Sequence, residues 1–251
     1  MDRAELHFHL LPEVDDGPVS LDEAVELARL AVADGTSVVT VTPHVRDLLR
    51  AGILDELPAR VHEVAAAVRR AGVPLEVRTG AELAQEDVAL LADRDLDAIA
   101  QGPPGARWVL LEAPLFGGSL DEFLDATAEL RARGFGTLIG HPERCAPFMR
   151  EPGAVAAERR AGARLQVNGS SLTGRHGPDA RSWGLALLRR GDAQVIASDA
   201  HRPSRPPVLS AAVEVAVGAD VPRAVADAAV GATPRALLRH GIVALPDARA
   251  A

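Results

Sequence analysis

Five of the eight histidines in this chain keep company that suggests chemistry. His7 and His9 are spaced i, i+2, so on a strand both imidazoles share one face. Asp16 follows in VDDG, His44 ends VTPH, Glu82 stands in GAEL and Glu112 in LLEAP. His141 opens HPER, and Asp199 and His201 form D-x-H. Brought together, these nine imidazole and carboxylate groups would be costly without cations, because like charges repel and burial adds a penalty. They are too many for one tetrahedral ion but suit two or three ions sharing bridging groups. Taken singly, each has an ordinary reading: His7 and His9 as core histidines, Glu112 as the buried partner of an arginine, Asp199 as a turn residue. A lone H-x-H is weak evidence. Recurrence in segment after segment is what points to metal.

The elements around these residues supply a common stage. Short apolar runs at 5–10, 37–44, 75–83, 107–114, 136–143, 164–171 and 193–201 read as buried parallel strands. Helices fill the gaps. One opens at the capping box of Ser20 and Glu23, another at Ser119 and Glu122, and others are expected over 53–71, 179–190, 208–217, 221–230 and 234–240. Eight of the nine residues fall at the C-terminal ends of strands, and Asp16 in the first βα loop. That is the rim where (β/α) barrels build their sites. The expectation is an α/β fold, one distorted TIM-like (β/α)7 barrel domain over 1–251, with the metal site at the strands' C-terminal ends. The longest loops, 11–20, 45–52 and 171–178, are too short for a lid domain.

Composition narrows the function class. The chain has 251 residues, 47% of them hydrophobic, with mean hydropathy +0.06, enough to bury a core without disulfides. Its 27 basic and 35 acidic residues leave −8, against a nucleic-acid partner. No apolar run approaches a membrane span, so no membrane insertion is expected. The opening MDRAELHFHLLPE carries no leader pattern, and one cysteine makes no internal disulfide, so a cytoplasmic, reducing setting is expected. Lysine is absent, which removes Schiff-base and P-loop chemistry.

Taken in order, LHFHLLPEVDDG, VTPH, GAEL, LLEAP, GHPER and ASDAHR resemble the PHP (polymerase and histidinol phosphatase) superfamily of metal-dependent phosphoesterases. The likeness is greatest to its bacterial capsule-type tyrosine-protein phosphatase branch, which also has a stretch like LQVNGSSLTGRHG. It runs from about residue 5 to about residue 217. The resemblance implies that His7, His9 and Asp199 hold one metal, with Glu82 bridging to a second that takes Glu112 and His141. A third would lie between Asp16, His44 and His201. It favours Asp16 over Asp15 as a ligand, leaving Asp15 to orient the loop. It implies two or three divalent transition-metal ions, Mn²⁺ first, with Fe or Zn as alternatives. Three positions depart from the pattern: Phe8 replaces a small or polar residue, Glu13 stands where Gly is common, and VTPHVRD lacks a second His.

Charge counting adds a phosphate. Four carboxylates against three divalent ions leave about +2, and Arg144, beside His141, adds one more and offers a fork for phosphoryl oxygens. Its ordinary reading is an ion pair with Glu143 or Glu112. Water acidified between metals would attack phosphorus. Cys145 and Arg150 give C-x4-R, one residue short of the cysteine-phosphatase loop, so Cys145 reads as packing. His176 reads as a loop histidine, and Asn168 and Ser170 as substrate or supporting contacts. Arg46 and Arg50 stand where they could meet acidic flanks of a peptide. The leading expectation is a phosphatase acting on a phosphotyrosine protein, a bacterial tyrosine kinase of capsule or exopolysaccharide synthesis. The chain has no Tyr, so that substrate would be a separate chain. The alternatives are a PHP phosphatase for a small ester such as histidinol phosphate or a nucleotide, and a non-catalytic PHP module.

Overall fold

Val- and Leu-rich runs separated by helix-forming stretches leave the strands no hairpin partners, so they pair in parallel. The computed structural model describes residues 2–115 and 118–245. Its strands are β1 (Arg3–Phe8), β2 (Thr36–Val41), β3 (Glu76–Thr79), β4 (Glu82–Leu83), β5 (Trp108–Glu112), β6 (Gly136–Gly140), β7 (Arg164–Asn168) and β8 (Val195–Ala197). The first six helices are α1 (Leu21–Ala33), α2 (Val45–Ala51), α3 (Leu57–Arg70), α4 (Asp93–Ile99), α5 (Leu120–Ala132) and α6 (Ala146–Arg150). The rest are α7 (Pro152–Arg160), α8 (Gly169–Leu172), α9 (Gly177–Arg189), α10 (Leu209–Gly218), α11 (Arg223–Val230) and α12 (Ala232–His240).

Two parallel sheets result, β1-β2-β3 and β4-β5-β6-β7-β8. They touch at two places. Phe8 bridges Ala200 beside β1 and β8, and His44 bridges Glu82 between the end of β2 and β4. The strand expected over 75–83 is therefore two, which is the clearest departure from the seven predicted. β3 follows β2, and after Gly80 and Ala81 the chain changes partner to β5. Gly80 permits the switch: a Cβ there would lie 2.5 Å from Thr40 Cγ2 and 3.3 Å from the Val41 carbonyl oxygen.

The serine of each expected capping box caps its helix. Ser20 accepts from the Glu23 amide at 3.2 Å while Glu23 reaches back to the Val19 amide at 2.6 Å; Ser119 accepts from the Glu122 amide at 3.3 Å, and the Glu122 carboxylate turns to Gln85. Residues 45–51, expected as loop, are helical, as is α8, which replaces the end of the strand expected over 164–171 and the start of the loop expected over 171–178. Seven polar-rich residues are too few to display a helical period, yet Val45 and Leu48 are buried against the strands.

Strand faces divide the core. Val109 and Leu111 of β5 face the helices with Phe123 and Leu130, whereas Trp108 and Leu110 face a smaller cluster with Leu6, Leu138 and Val195. Leu237 and Ile242 close that cluster at the strands' N-terminal end, and Trp108 Nε1 donates to the Leu237 carbonyl oxygen at 3.1 Å. The C-terminal helices thus seal the end opposite the candidate ligands. Among the described residues no helix is long and apolar enough to cross a membrane.

Gly80→Ala forces its methyl group against Thr40 and moves β4, which carries Glu82. It is expected to cost about 1–3 kcal/mol of stability, measurable as a lowered urea midpoint at unchanged m-value.

Candidate metal centre

Every one of the nine sequence-predicted residues reaches one end of the strands. His7 lies on β1 and His9 just beyond it, both wholly buried. Phe8 between them turns outward into the helix-side core and leaves the site open. Glu82 begins β4 and Glu112 ends β5, on the face that also carries Trp108 and Leu110. His141, Asp199 and His201 follow β6 and β8 immediately. Asp16 is the exposed member, with its side chain 60% accessible.

Glu82 is the hub. One oxygen lies 3.2 Å from His7 Nε2 and 3.1 Å from His141 Nε2, the other 3.3 Å from His9 Nε2 and 3.0 Å from His44 Nδ1. Asp199 Oδ1 stands 3.3 Å from His7 and 3.5 Å from His9. On the outer side, Asp16 Oδ1 is 3.1 Å from His201 Nε2 and 3.7 Å from His44 Nε2. Glu112 reaches His141 at 3.7 Å. The rings of His9 and His201 stack with centroids 3.7 Å apart.

A further layer fixes which nitrogen points inward. His9 Nδ1 donates to Asp15 Oδ2 at 2.8 Å, and Asp15 also accepts from the amides of Gly17 and His44. His7 Nδ1 donates to Gln166 Oε1 at 3.0 Å, and His201 Nδ1 to the Asp199 carbonyl at 2.9 Å. In the neutral ring each Nε2 is then the nitrogen left to hold a metal; without one, that of His7 carries a proton toward the carboxylates, and the Nε2 atoms of His7 and His9 lie only 3.3 Å apart. Imidazoles held by their outer nitrogen are the usual arrangement around metals, so the donor set fits divalent ions. Four groups of ligand atoms are each compact enough for one ion: His9–Asp16–His44–His201, His7–His9–Glu82, His7–His141–Asp199 and His44–Glu82–Glu112.

Charge follows the same map. Burial would lower the His7 pKa, but the Glu82 and Asp199 carboxylates outweigh it and push it up to about 9. Glu82 and Asp199 are held well below the usual carboxylate range, burial being overcome by the surrounding imidazoles. Burial and then the Glu82 charge raise Glu112 to about 7.

Backbone strain is concentrated here. His141 and Asp199 are left-handed at φ 34° and 52°, which favours glycine, and neither is one. Glu13 is left-handed too, at φ 61°, which explains why glycine is common at that position.

Two arginines face the site. Arg144 Nη1 stands 3.4 Å from Asp199 Oδ2, rather than on Glu143 or Glu112. Glu143 instead accepts from the Asn168 amide at 3.0 Å and Ser171 Oγ at 2.6 Å. Arg205, which sequence reasoning missed, lies 3.0 Å from Asp16 Oδ2 and 3.6 Å from Asp199 Oδ2. Its only signal was a position four residues after His201 in a proline-rich turn. Gln166 was missed as well, although a glutamine inside the apolar run RLQVN was a visible anomaly. It donates to Asn168 Oδ1 at 2.8 Å, and Asn168 donates to Asp199 Oδ2 at 2.8 Å. His7 and Asp199 are thereby tied through β7.

Above the cluster opens a cavity of about 590 Å3. Its charged side holds Arg144, Arg205 and the ligands; its other side is Ala84, Ala113, Pro114 and Leu115. Arg46 and Arg50 also line it, but Glu86 holds the first at 2.6 Å and Asp47 the second at 3.3 Å. His176 is not a free loop histidine: it shares Ser171 Oγ at 2.9 Å, and burial with the Arg144 charge lowers its pKa to about 4. Cys145 is buried, and desolvation raises its thiol to about 11. No thiolate nucleophile is available there at neutral pH.

A family model for capsular polysaccharide synthesis, CpsB/CapC, matches residues 3–229. The putative tyrosine-protein phosphatase CapC of Staphylococcus aureus is 25% identical over 208 residues, 82% of this chain and 79% of that protein. The tyrosine-protein phosphatase YwqE of Bacillus subtilis is 28% identical over 207 residues, 78% and 76% of the two chains. The fold matches a chain from the crystal structures of YwqE from Bacillus subtilis and CpsB from Streptococcus pneumoniae, described as unique metal-dependent tyrosine phosphatases. That match has TM-score 0.76 and 24% identity over 97% of each chain. A phosphotriesterase homology protein from Escherichia coli matches with TM-score 0.54 at 12% identity, over 92% of this chain and 97% of that one.

In metal-free protein, protonated His7 balances Glu82 and Asp199. A folded pKa raised from 6.5 to about 9 contributes stability that is complete below 6.5 and lost as pH rises through 9. The metal-free form is expected to lose on the order of 3 kcal/mol across that window. Thermal unfolding of chelated protein from pH 6 to 10, with a metal-reloaded control that stays level, checks it.

Proposed function

The chain belongs to the CpsB/CapC family of capsular polysaccharide synthesis, and from that premise we propose that it is a metal-dependent phosphatase of phosphotyrosine in proteins. The observation that carries the reading is the inward-facing set of nine imidazole and carboxylate groups beneath two arginines. His7, His9 and Asp199 would hold one ion, Glu82 would bridge to a second with Glu112 and His141, and Asp16, His44 and His201 would hold a third. The compact groups support this division with three changes: His9 also approaches the outer set, His141 groups with His7 and Asp199, and Glu112 groups with His44 and Glu82 while meeting His141 at 3.7 Å. Mn²⁺ is the ion we assign, on the family likeness, with Fe and Zn as alternatives that the imidazole donors suit equally well. When bound, such ions polarise a phosphoryl oxygen and acidify a water for in-line attack.

The chain's own side chains do the rest. Arg144 and Arg205 straddle Asp199, each with a guanidinium on the cavity side, and would take the phosphoryl oxygens as its charge spreads. Asn168 and Gln166 hold Asp199 and His7 in register beneath the reacting group. Ala84, Ala113, Pro114 and Leu115 in the cavity lining offer apolar surface for a phenol ring, which a small polar ester would leave unused. The two sheets, joined at both edges, are read as one distorted seven-membered barrel in which β3 and β4 together make a single stave. The whole chain is taken as one domain. The substrate would be a tyrosine kinase of capsule or exopolysaccharide synthesis, met in the cytoplasm, where the single buried cysteine stays reduced.

With Mn²⁺ added, kcat/KM for a phosphotyrosine peptide should exceed that for histidinol phosphate and a nucleoside monophosphate by an order of magnitude. A reversed ranking sinks the tyrosine assignment and leaves a small-ester phosphatase. Arg144→Ala should lower kcat/KM about 10²-fold; an unchanged value removes it from the phosphate. Cys145→Ser should keep most of its activity, and a trapped phosphocysteine on mass spectrometry would contradict the water mechanism.

A further inference from the structure

Beside the main cavity lies a second recess of about 120 Å3, which shares Asp199 and Arg205 with it. Ser170, Thr173, Arg175 and Ser198 complete its polar lining. Two of the donors there are uncommitted. Ser198 is buried and is not one of them, since its Oγ accepts from the Ala200 amide at 3.3 Å and its side chain bonds to the Glu5 carboxylate. Neither the Ser170 hydroxyl nor the Arg175 guanidinium has a partner among the described residues. The carboxylate, by contrast, is already paired: Asp199 Oδ2 receives Asn168 at 2.8 Å, with Arg144 and Arg205 at 3.4 and 3.6 Å. The Thr173 hydroxyl spends its own proton on the Ser170 carbonyl at 3.1 Å.

A recess rich in free donors and poor in free acceptors suits an anion. It abuts the reacting site, so the anion and the reacting phosphate can belong to one molecule. The arginines on the opposite rim, Arg46 and Arg50, are already neutralised by Glu86 and Asp47. Arg175 has no such carboxylate. We propose that this recess is a subsite for a second anionic group of the substrate, a carboxylate or a second phosphoryl group flanking the phosphotyrosine. The proposal rests on the protein-phosphatase reading above.

The test uses metal-loaded protein and peptides carrying a non-hydrolysable phosphonate analogue of phosphotyrosine. Flanks are all alanine, or carry one glutamate or one phosphoserine at each of the two positions on either side. In wild-type protein the best acidic flank is expected to tighten Kd about fivefold over alanine. Arg175→Ala, and separately Arg175→Gln, should bring that ratio near one while leaving the alanine-flanked Kd unchanged. Comparing glutamate with phosphoserine tells the two anions apart. Equal Kd for acidic and neutral flanks in wild-type protein overturns the subsite. So does a ratio that survives both substitutions, or an equal loss for every peptide. Turnover of the matching phosphotyrosine peptides is measured separately. If none is hydrolysed while the Kd ratio behaves as expected, the catalytic reading fails and the subsite stands.

Discussion

A single buried carboxylate, Glu82, sets the terms for the rest of this molecule, because four imidazoles lie within 3.3 Å of its two oxygens. A carboxylate without water requires positive charge nearby, and imidazoles crowded together require somewhere to direct their lone pairs. Protons satisfy both needs in part, which is why His7 is pushed up to about 9. Divalent cations satisfy them fully. The hub also stands on the shortest strand, β4, two residues after the chain has left one sheet for the other at Gly80. The position of the central charge therefore depends on a backbone contact that no residue with a Cβ would permit without movement.

The surrounding structure holds the cluster in place at measurable cost. Left-handed backbone at His141 and Asp199 costs on the order of 1–3 kcal/mol each. It turns both side chains back over the strand ends instead of letting them follow the chain away. Around the inward nitrogens runs a ring of Asp15, Gln166 and Asn168, none facing the cavity, which commits the outer nitrogens and the spare carboxylate oxygen. At the far end of the strands, Trp108, Leu237 and Ile242 make an apolar seal. Packing occupies one end and chemistry the other, the division expected where loops after strands carry function and strand starts carry stability.

Charge on the rim is sorted by partner rather than by sign. Arg46 and Arg50 lie on carboxylates of their own neighbourhood, whereas Arg144 and Arg205 lie on carboxylates that the metals would claim. Ions bound at those carboxylates would weaken their hold on the guanidiniums and release both arginines toward an incoming anion. The net charge of −8 does not oppose an anionic substrate, because the field at the mouth is set by these few groups and the ions they surround.

Much of this was legible in the chain alone. Eight of the nine candidate positions could be read because each ends an apolar run, and a strand's end is where a polar side chain reaches the mouth; Asp16, in the loop after β1, was read from the family likeness. The helix caps at Ser20 and Ser119 were legible because they are local, four residues speaking to one another. What depended on residues far apart was not. The division of the 75–83 strand needed Thr40 beside Gly80, and the tether of His7 needed Gln166, 159 residues away. Arg205 gained its place only when the turn after β8 folded back over Asp16. The carboxylate partner of Arg46, Glu86, was likewise decided in space. Sequence determined which groups could do the chemistry, since residue type and strand period are properties of the chain. Tertiary structure decided which of them face one another, because distance between side chains from different strands is set by how the sheets close.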